Sequence, residues 1–303
     1  MRLGPALQLI LTLGFAPLTA LADDAGAVLV GVFEWEAPQG WFGGLSGLEL
    51  SEDGTALTAI TDRGRILFAR ISRDEERISG VEILRSNHLR LQNGRSLIGL
   101  TADSEGLAIA PDGTIFVSFE HVHRVARYPE ATATAEGLPR PPALRALRGN
   151  AGLEALAMDA MGRLYTLPEK AFDDQGRIPV YRWDGAAWSM PFALPGMGGF
   201  LPVGADFGPD GRLYLLERDF NLFGFRSRVR SWQIIEDGAG DEKLHLETER
   251  RTHDNLEGIS VWRDAIGRIR LTMVSDDNFM VFQRSELVEY ALPERLAQSR
   301  ASR

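Results

Sequence analysis

Five short segments of the chain alternate apolar residues with small or polar ones, and a glycine turn and a second β-rich run follow each segment. In the first case Ser46–Leu50 is followed by the turn Asp53–Gly54 and by Ala56–Ile60. This order is typical of an antiparallel β-hairpin. The sequence predicts four further hairpins, which begin with Glu105–Ile109, Glu154–Met158, Val203–Phe207 and Glu257–Val261, turn at Asp112–Gly113, Met161–Gly162, Asp210–Gly211 and Ile266–Gly267, and return along Thr114–Phe119, Arg163–Leu167, Arg212–Leu216 and Arg268–Val274.

The spacing of these hairpins indicates the architecture. Their first residues, at positions 46, 105, 154, 203 and 257, are separated by 59, 49, 49 and 54 residues. A repeat of about 50 residues matches one four-stranded propeller blade. We therefore expect an all-β chain that forms a single β-propeller of five or six four-stranded blades. A solenoid or two stacked sandwiches are the alternatives.

The blade count depends on the β-rich run Val28–Trp35. Five blades follow from the five hairpins, and a sixth would have to be assembled from this run and poorly patterned sequence. In the other interpretation Val28–Trp35 pairs with the last blade near Leu287–Leu292 and closes the ring. For the outer strands, the sequence predicts hairpins Val180–Asp184 with Ala186–Met190 and Arg228–Ile235 with Lys243–Glu249, the second joined by the loop Glu236–Glu242, and a long exposed loop over Pro129–Gly149.

The N-terminus has the pattern of a signal peptide. Arg2 precedes an apolar run, and Ala20–Ala22 has the small-x-small form of a signal-peptidase site. The apolar run is too short for a comfortable membrane span. We therefore expect residues 1–22 to be removed from a periplasmic or secreted protein, which takes the formal net charge from −9 to −10 because Arg2 is lost. A buried N-terminal helix is the alternative.

Composition narrows the classes of partner. Hydrophobic residues make up 44% of the chain and charged residues 25%, which is ordinary globular usage. The net negative charge argues against binding to nucleic acid or to an anionic membrane surface. Cysteine is absent, so disulfides, thiolate metal sites and cysteine nucleophiles are excluded. We expect a monomer that has no membrane span.

Carboxylates recur at two positions of the hairpins. One set, Glu105, Glu154 and Glu257, stands at the head of the first strand, and Ser46 and Val203 take this place in the other two hairpins. The second set closes the hairpins and comprises Asp62, Glu120, Glu169, Glu217 and Asp276. The start of one antiparallel strand lies beside the end of its partner, so both sets are expected at one mouth of the central channel.

Such a concentration of negative charge needs compensation. Two carboxylates about 6 Å apart repel by roughly 3 kcal/mol at an effective dielectric constant of about 20. Calcium suits a loose shell of carboxylate oxygens, whereas zinc is disfavoured by the absence of cysteine and of a paired-histidine motif. Basic residues adjoin three of the acids, in Asp62–Arg63, Glu169–Lys170 and Glu217–Arg218, and they could receive an anionic substrate. Salt bridges at the blade ends are the structural alternative.

Two histidines and one serine carry weaker signals. His121 and His123 follow Glu120, and a metal or acid–base role competes with their being surface or inter-blade polar residues. Ser46 lacks the context of a nucleophile elbow and is interpreted as a hydrogen-bonding strand residue.

Several segments resemble the phytase-like family described as having "esterase-like activity of phytase". They are Gly44–Leu48, Thr61–Gly64, Ser104–Ala108, Gly224–Arg230, Asn255–Ile259 and Ser275–Phe279, of which Ser-Asp-Asp-Asn-Phe is the most specific. The resemblance covers about Gly43 to Tyr290. It implies a single exported phytase-like β-propeller domain over residues 23–303, and it suggests hydrolysis of phosphate or other esters.

Together these features predict a metal-assisted ester hydrolase with a small anionic ligand, most naturally a phosphate monoester. The divalent cation, with calcium as the leading candidate, would be held by Asp62, Glu105, Glu154, Glu257 and Asp276. Glu120, Glu169 and Glu217 would complete its shell or position a water, and Arg63, Lys170 and Arg218 would neutralise the substrate. A non-catalytic ligand-binding propeller and a lactonase-like metal hydrolase are the alternatives.

Overall fold

The computed structural model describes residues 26–140, 142–146, 152–280 and 282–293, and within them five four-stranded antiparallel sheets form a ring. The predicted β-propeller is confirmed, and of the two predicted counts the structure has five blades. The strands in chain order are β1 (Val28–Glu34), β2 (Leu45–Leu50), β3 (Ala56–Thr61), β4 (Arg65–Asp74), β5 (Arg77–His88), β6 (Ser104–Ile109), β7 (Ile115–Phe119), β8 (Arg124–Tyr128), β9 (Glu136–Gly137), β10 (Leu153–Met158), β11 (Leu164–Pro168), β12 (Arg177–Trp183), β13 (Trp188–Pro195), β14 (Leu201–Phe207), β15 (Arg212–Asn221), β16 (Gly224–Ile235), β17 (Gly238–Glu247), β18 (Asn255–Arg263), β19 (Ile269–Asp276) and β20 (Glu286–Ala291).

The blades follow the chain, and the N-terminal strand completes the last one. Blade 1 is β2–β5, blade 2 is β6–β9, blade 3 is β10–β13 and blade 4 is β14–β17. Blade 5 is β18–β20 with β1 as its outermost strand, paired antiparallel to β20. The run Val28–Trp35 therefore closes the ring instead of starting a sixth blade. Two short helices, Gly99–Thr101 and α1 (Pro142–Ala146), lie in connections between blades.

The predicted glycine turns explain why the inner strands reverse where they do. The last residue of each turn has a positive φ, for example 67° at Gly54 and 87° at Gly113. Glycine adopts this conformation without the steric cost that a side chain would add. The amide of Gly54 donates to the carbonyl of Ser51, and that of Gly113 donates to Ala110, so each turn is also closed by a backbone hydrogen bond.

The predicted outer hairpins pair as expected in blades 3 and 4, whereas the loop in blade 4 and the stretch between blades 2 and 3 differ from the prediction. In blade 3, β12 and β13 form the predicted hairpin around Asp184–Gly185. In blade 4 the predicted loop Glu236–Glu242 is wrong, because β17 already begins at Gly238 and leaves a two-residue turn. The stretch Pro129–Gly149 is not simply an exposed loop, since it contributes β9 and α1 and buries Ala131, Ala135 and Leu144.

The inner strands of neighbouring blades pack against one another around the axis, and β18 packs against β2. Glycines permit this close approach: a Cβ at Gly204 would lie 2.5 Å from the carbonyl oxygen of Glu257, and one at Gly47 would lie 2.7 Å from that of Glu105. The axial cavity has a volume of only about 10 Å³, roughly the space of a single water. The central channel is therefore too narrow between these strands to hold a small molecule.

A buried ion-pair network also joins the first and last blades. The Glu289 carboxylate on β20 accepts hydrogen bonds from Arg73 Nη1 and Nη2 at 2.6 and 2.9 Å, from Arg270 Nη2 at 3.0 Å and from Thr272 Oγ1 at 2.8 Å. Arg73 belongs to β4 of blade 1, so this cluster bridges the seam that β1 closes.

No helix among the described residues is long and apolar enough to cross a membrane. The predicted signal peptide lies outside the described residues.

Candidate active site at the acidic mouth

A β-bulge sets the position of the first carboxylates. In β10 the register passes from Leu153, opposite Pro168, to Ala155, opposite Leu167, and leaves Glu154 without a partner residue. Equivalent irregularities fall at Glu105 with Gly106, at Val203 and at Glu257, and Ser46 occupies the same place in β2. Bulges bend a strand and change the direction of a side chain. This repeated bulge was not foreseen from the sequence, although a glycine or alanine follows each of these positions.

The second carboxylates lie at the same end of the hairpins. The amides of Asp62, Glu120 and Glu169 donate to the carbonyls of Gly44, Asp103 and Gly152, at 2.8, 3.0 and 2.9 Å. Each of these carbonyls belongs to the residue two positions before the bulge. Asp276 pairs directly with Asn255, which holds the same place in β18.

Three carboxylates from two blades form the centre of this end. Single oxygens of Glu105, Glu120 and Glu154 all lie within 4.8 Å of one another. The side chains of Glu105 and Glu154 are 9% and 7% exposed, and they accept no hydrogen bond from any residue that the structure describes. At 4.8 Å two carboxylates repel by about 3 kcal/mol at an effective dielectric constant of about 20. Glu105 and Glu154 thus lack the hydrogen-bond donors that normally accompany buried charge.

Asp62 and Asp276 extend the cluster toward blades 1 and 5. Asp62 interacts electrostatically with Glu257 and Asp277, and its Oδ1 is buried without a hydrogen-bond partner in the described chain. Asp276 accepts the amide of Asn278 at 2.7 Å, and Asp277 accepts those of Phe279 and Gly44 at 3.0 and 2.9 Å. The Ser-Asp-Asp-Asn-Phe segment therefore closes its own turn and ties it to the loop before β2.

We call the end of the ring that carries these side chains the acidic mouth. It comprises Asp62, Asp103, Glu105, Glu120, Glu154, Glu169, Glu257, Asp276 and Asp277. Asp103 was not selected from the sequence, and its position beside Glu120 is created only by the pairing of β6 with β7. In the sequence, the only sign of this site residue is that an aspartate stands two positions before Glu105, which begins a predicted strand.

Arg218 compensates three of the acids, since its guanidinium also attracts the Glu154 carboxylate electrostatically. Its guanidinium forms salt bridges with Glu257 and, at 3.1 Å, with Glu169, and it donates to Asn255 Oδ1 at 2.7 Å. Lys170 forms a further salt bridge with Glu169. Arg218 and Lys170 are thus occupied by protein carboxylates, as the salt-bridge alternative expected. Glu257 and Glu169, which form salt bridges with Arg218, are correspondingly less available to a cation than Glu105.

Glu217 does not join the acidic mouth. It is fully buried and accepts hydrogen bonds from Arg228 Nε and Nη2 at 2.9 and 3.0 Å and from Arg230 Nε and Nη2 at 2.7 and 2.6 Å. Because β15 continues as far as Asn221, Glu217 lies inside the strand, where the arginines of β16 reach it. Arg218, opposite Leu201, holds the place that Asp62, Glu120 and Glu169 hold in their blades, so the sequence assignment of Glu217 to this set is wrong by one residue.

Arg63 differs from Arg218 and Lys170 because its guanidinium stacks on an aromatic ring. Its guanidinium carbon lies 3.2 Å from the ring centroid of Phe279, and it makes no hydrogen bond or salt bridge with a residue that the structure describes. Phe279 in turn lies against Gly44, where a Cβ would be 2.7 Å from the ring and 2.2 Å from Asp62 Oδ1. Arg63, Phe279 and Asp62 therefore form one continuous edge of the mouth.

His121 and Ser46 have distinct surroundings. His121 Nδ1 lies 2.6 Å from Asp103 Oδ2 and 3.2 Å from Glu120 Oε2, so the histidine faces the acidic mouth. The Ser46 hydroxyl donates to the carbonyl of Ser104 at 2.6 Å and is buried between blades. Ser46 accordingly has the predicted hydrogen-bonding role.

Burial makes ionisation of the mouth unfavourable. It raises the pKa of Asp62 to about 7 and that of Asp276 to about 8. It also raises the pKa of Glu105 and Glu154 well above the ordinary value, and neighbouring carboxylates raise it further. For Glu257 the pKa is raised by burial, while Arg218 acts in the opposite direction. At neutral pH the mouth must take up protons or a cation.

The donor set fits a hard divalent cation. It consists of carboxylate oxygens at its centre, with one imidazole at the edge, and two of the buried carboxylates lack any hydrogen-bond donor. Oxygen-only sites of flexible geometry suit calcium or magnesium better than zinc. The structure therefore supports a site for a hard divalent cation at the acidic mouth.

Comparison with protein families agrees with this geometry. The family model for phytase-like proteins, described as "esterase-like activity of phytase", matches residues 40–279. The chain belongs to the phytase-like family. The match spans all five inner hairpins and the Ser-Asp-Asp-Asn-Phe turn. No curated protein sequence matches this phytase-like chain significantly.

Solved structures show the same kind of fold. An α-L-arabinofuranosidase from Podospora anserina, in complex with cellotriose, is 12% identical, with a TM-score of 0.51 over 88% of this chain and 97% of that one. A gluconolactonase from Xanthomonas campestris is 16% identical, with a TM-score of 0.48 over 83% and 86%. A streptogramin B lyase is 15% identical, with a TM-score of 0.42 over 89% and 74%. At such identities the likeness concerns the fold alone.

Proposed function

We propose that the protein is an exported hydrolase of ester bonds, with phosphate monoesters as the first substrate class, acting at the acidic mouth with a divalent cation. The observation that carries this proposal is the convergence of Glu105, Glu120 and Glu154, of which Glu105 and Glu154 are buried without a hydrogen-bond donor. Membership of a family described by esterase-like activity supports the reaction class.

The cation would be held by Glu105, Glu120 and Glu154, with Asp62 and Asp276 completing its surroundings. Calcium is the leading candidate because its shell of six to eight oxygens tolerates irregular geometry. When bound, a divalent ion polarises a phosphoryl or carbonyl oxygen and lowers the pKa of a coordinated water. The buried Asp62 Oδ1, which has no partner in the described chain, supplies a further acceptor at the same place.

The remaining residues of the mouth would position these groups. Arg218 holds Glu257 and Glu169 through its two salt bridges, and thereby limits the excess of negative charge. We therefore assign Arg218 to positioning rather than to binding of the substrate. Arg63 keeps its N–H groups available for an anionic substrate at the edge of the mouth. Glu217 takes no part, because its partners are the two arginines of blade 4.

A direct test combines metal analysis with activity. The purified mature protein is subjected to elemental analysis, and turnover of p-nitrophenyl phosphate, a short acyl ester and a lactone is measured with and without chelator. We expect phosphatase turnover that a chelator abolishes, and loss of both bound metal and turnover in Glu154→Gln. The matched control is Glu82→Gln, which changes a glutamate whose salt bridge with Arg70 is largely exposed.

The results separate the alternatives. Bound metal without turnover of any substrate would contradict the hydrolase and favour a ligand-binding propeller. Preference for the lactone would favour a lactonase-like metal hydrolase. Full phosphatase activity in Glu154→Gln would refute the assignment of the site to the acidic mouth.

Export is tested separately. If the signal peptide is removed as we propose, N-terminal sequencing of the protein recovered from a bacterial periplasm should begin at Asp23. Retention of Met1 in a folded cytoplasmic protein would refute this part of the proposal.

A further inference from the structure

The charges of the acidic mouth restrict what it can bind. Among the residues that the structure describes, nine carboxylates gather at the mouth, and only three permanent cations accompany them: Arg63, Lys170 and Arg218. When all nine carboxylates are ionised, these three cations and two divalent cations supply seven positive charges against nine negative ones. A ligand with several anionic groups would therefore meet a repulsive surface beyond the cation site.

Of the three cations, Arg63 alone forms no salt bridge with a carboxylate of the described residues. Arg218 is held by Glu257 and Glu169, and Lys170 is held by Glu169. A guanidinium stacked on a ring keeps its donors in the plane of the group, where they can bind a phosphate or carboxylate in a bidentate manner.

The position of Arg63 is fixed by the same turn that shapes the mouth. Asp277 Oδ1 accepts the amides of both Phe279 and Gly44, so the ring under Arg63 is tied to the loop before β2. Asp62, adjacent to Arg63 in the chain, carries the buried Oδ1 that has no partner in the described chain. Stacking on this ring consequently keeps the guanidinium beside the carboxylates.

We propose that the mouth selects esters that carry no more than one anionic group, and that Arg63 is the specificity-determining residue that binds this group. The inference rests on the proposed function, since it concerns the substrate of the same site. The preferred substrates are then phosphate monoesters of molecules that are otherwise uncharged. Polyphosphorylated compounds are excluded as preferred substrates.

The first test uses two substrates that differ by one phosphate. Phosphate release from fructose 6-phosphate and fructose 1,6-bisphosphate is measured at a fixed excess of divalent cation. We expect kcat/KM for the bisphosphate to be lower by roughly 10-fold or more, because the added phosphate, with a charge of about −1.5 to −2, opposes the net charge of the mouth. Equal or faster turnover of the bisphosphate would overturn the inference.

The second test changes the arginine. In Arg63→Gln the KM for p-nitrophenyl phosphate should rise roughly 10- to 100-fold, as expected for loss of a charge-assisted hydrogen bond, while the KM for neutral p-nitrophenyl acetate stays unchanged. Arg85→Gln is the matched control, since Arg85 stacks on Phe68 at 3.9 Å in blade 1. An equal effect on both substrates would assign Arg63 a structural role and refute the proposal.

Binding distinguishes failure of this inference from failure of the proposed function. If no ester is hydrolysed, calorimetric titration with the two fructose phosphates still measures selectivity. Tighter binding of the monophosphate, lost in Arg63→Gln, would support the inference for a binding protein. Tighter binding of the bisphosphate, or affinities that Arg63→Gln leaves unchanged, would refute it.

Discussion

Replacing Asp276 by asparagine should stabilise the metal-free protein at alkaline pH. Burial raises the pKa of Asp276 from the ordinary value of 3.8 to about 8, so the folded state holds this proton more tightly than the unfolded state. The free energy of unfolding is therefore highest below the ordinary pKa and falls as the pH rises through the folded-state pKa. Between pH 5 and pH 8 the loss for one such group is about 4 kcal/mol, at about 1.4 kcal/mol per pH unit.

The measurement is urea unfolding at pH 5 and pH 8 in the presence of chelator. The free energy of unfolding of the wild type should fall between pH 5 and pH 8. That of Asp276→Asn should fall less, and the difference should approach about 4 kcal/mol. In the wild type the amide of Asn278 donates to the Asp276 carboxylate at 2.7 Å. The side-chain oxygen of an asparagine can accept the same hydrogen bond, so the turn is retained. Addition of a divalent cation should restore the stability of the wild type at pH 8 and should raise the stability of Asp276→Asn less.

Asp74→Asn provides the control, because Asp74 is an exposed residue of the outer strand β4 and its loss changes the net charge equally. Metal-free wild type that is equally stable at pH 5 and pH 8 would refute the argument that the buried carboxylates lack compensation. Lower stability of Asp276→Asn at pH 8 would refute it as well.

Three further predictions concern the packing of the ring. Glu289→Ala should lower the free energy of unfolding in urea by about 3–5 kcal/mol, because the buried Arg270 and the half-buried Arg73 lose their partner. Glu82→Ala at an exposed pair should cost at most about 1 kcal/mol, and similar costs for the two variants would contradict the role of the seam network. Gly204→Ala should lower the free energy of unfolding by about 1–3 kcal/mol, because the added Cβ would lie 2.5 Å from a carbonyl oxygen. Thermal unfolding measures this loss, and Gly240→Ala is the control because no atom lies within 4 Å of its added Cβ. Glu217→Gln should lower the melting temperature without changing divalent-cation affinity in a calorimetric titration, and weakened cation binding would return Glu217 to the site.

Much of the fold was contained in the local sequence. The turn glycines and the alternation on either side of them define each inner hairpin, because hairpin pairing depends on residues close in the chain and on the backbone conformation of the turn. The repeat length then indicated four strands per blade. The role of Val28–Trp35 was left open, since its pairing with β20 joins strands that are about 260 residues apart and no local pattern encodes such a contact.

The candidate site shows the same division. Sequence spacing alone determined that Glu105, Glu154 and Glu257 occur at one register of the repeat, and topology requires such positions to lie at one end of the blades. The tertiary structure decided which carboxylates have donors. Arg218 reaches Glu257 across from blade 4 to blade 5, and the extension of β15 and β16 encloses Glu217 between arginines. Whether a charge is compensated depends on groups brought together from distant parts of the chain and on how far water is excluded, and neither is a property of the local sequence.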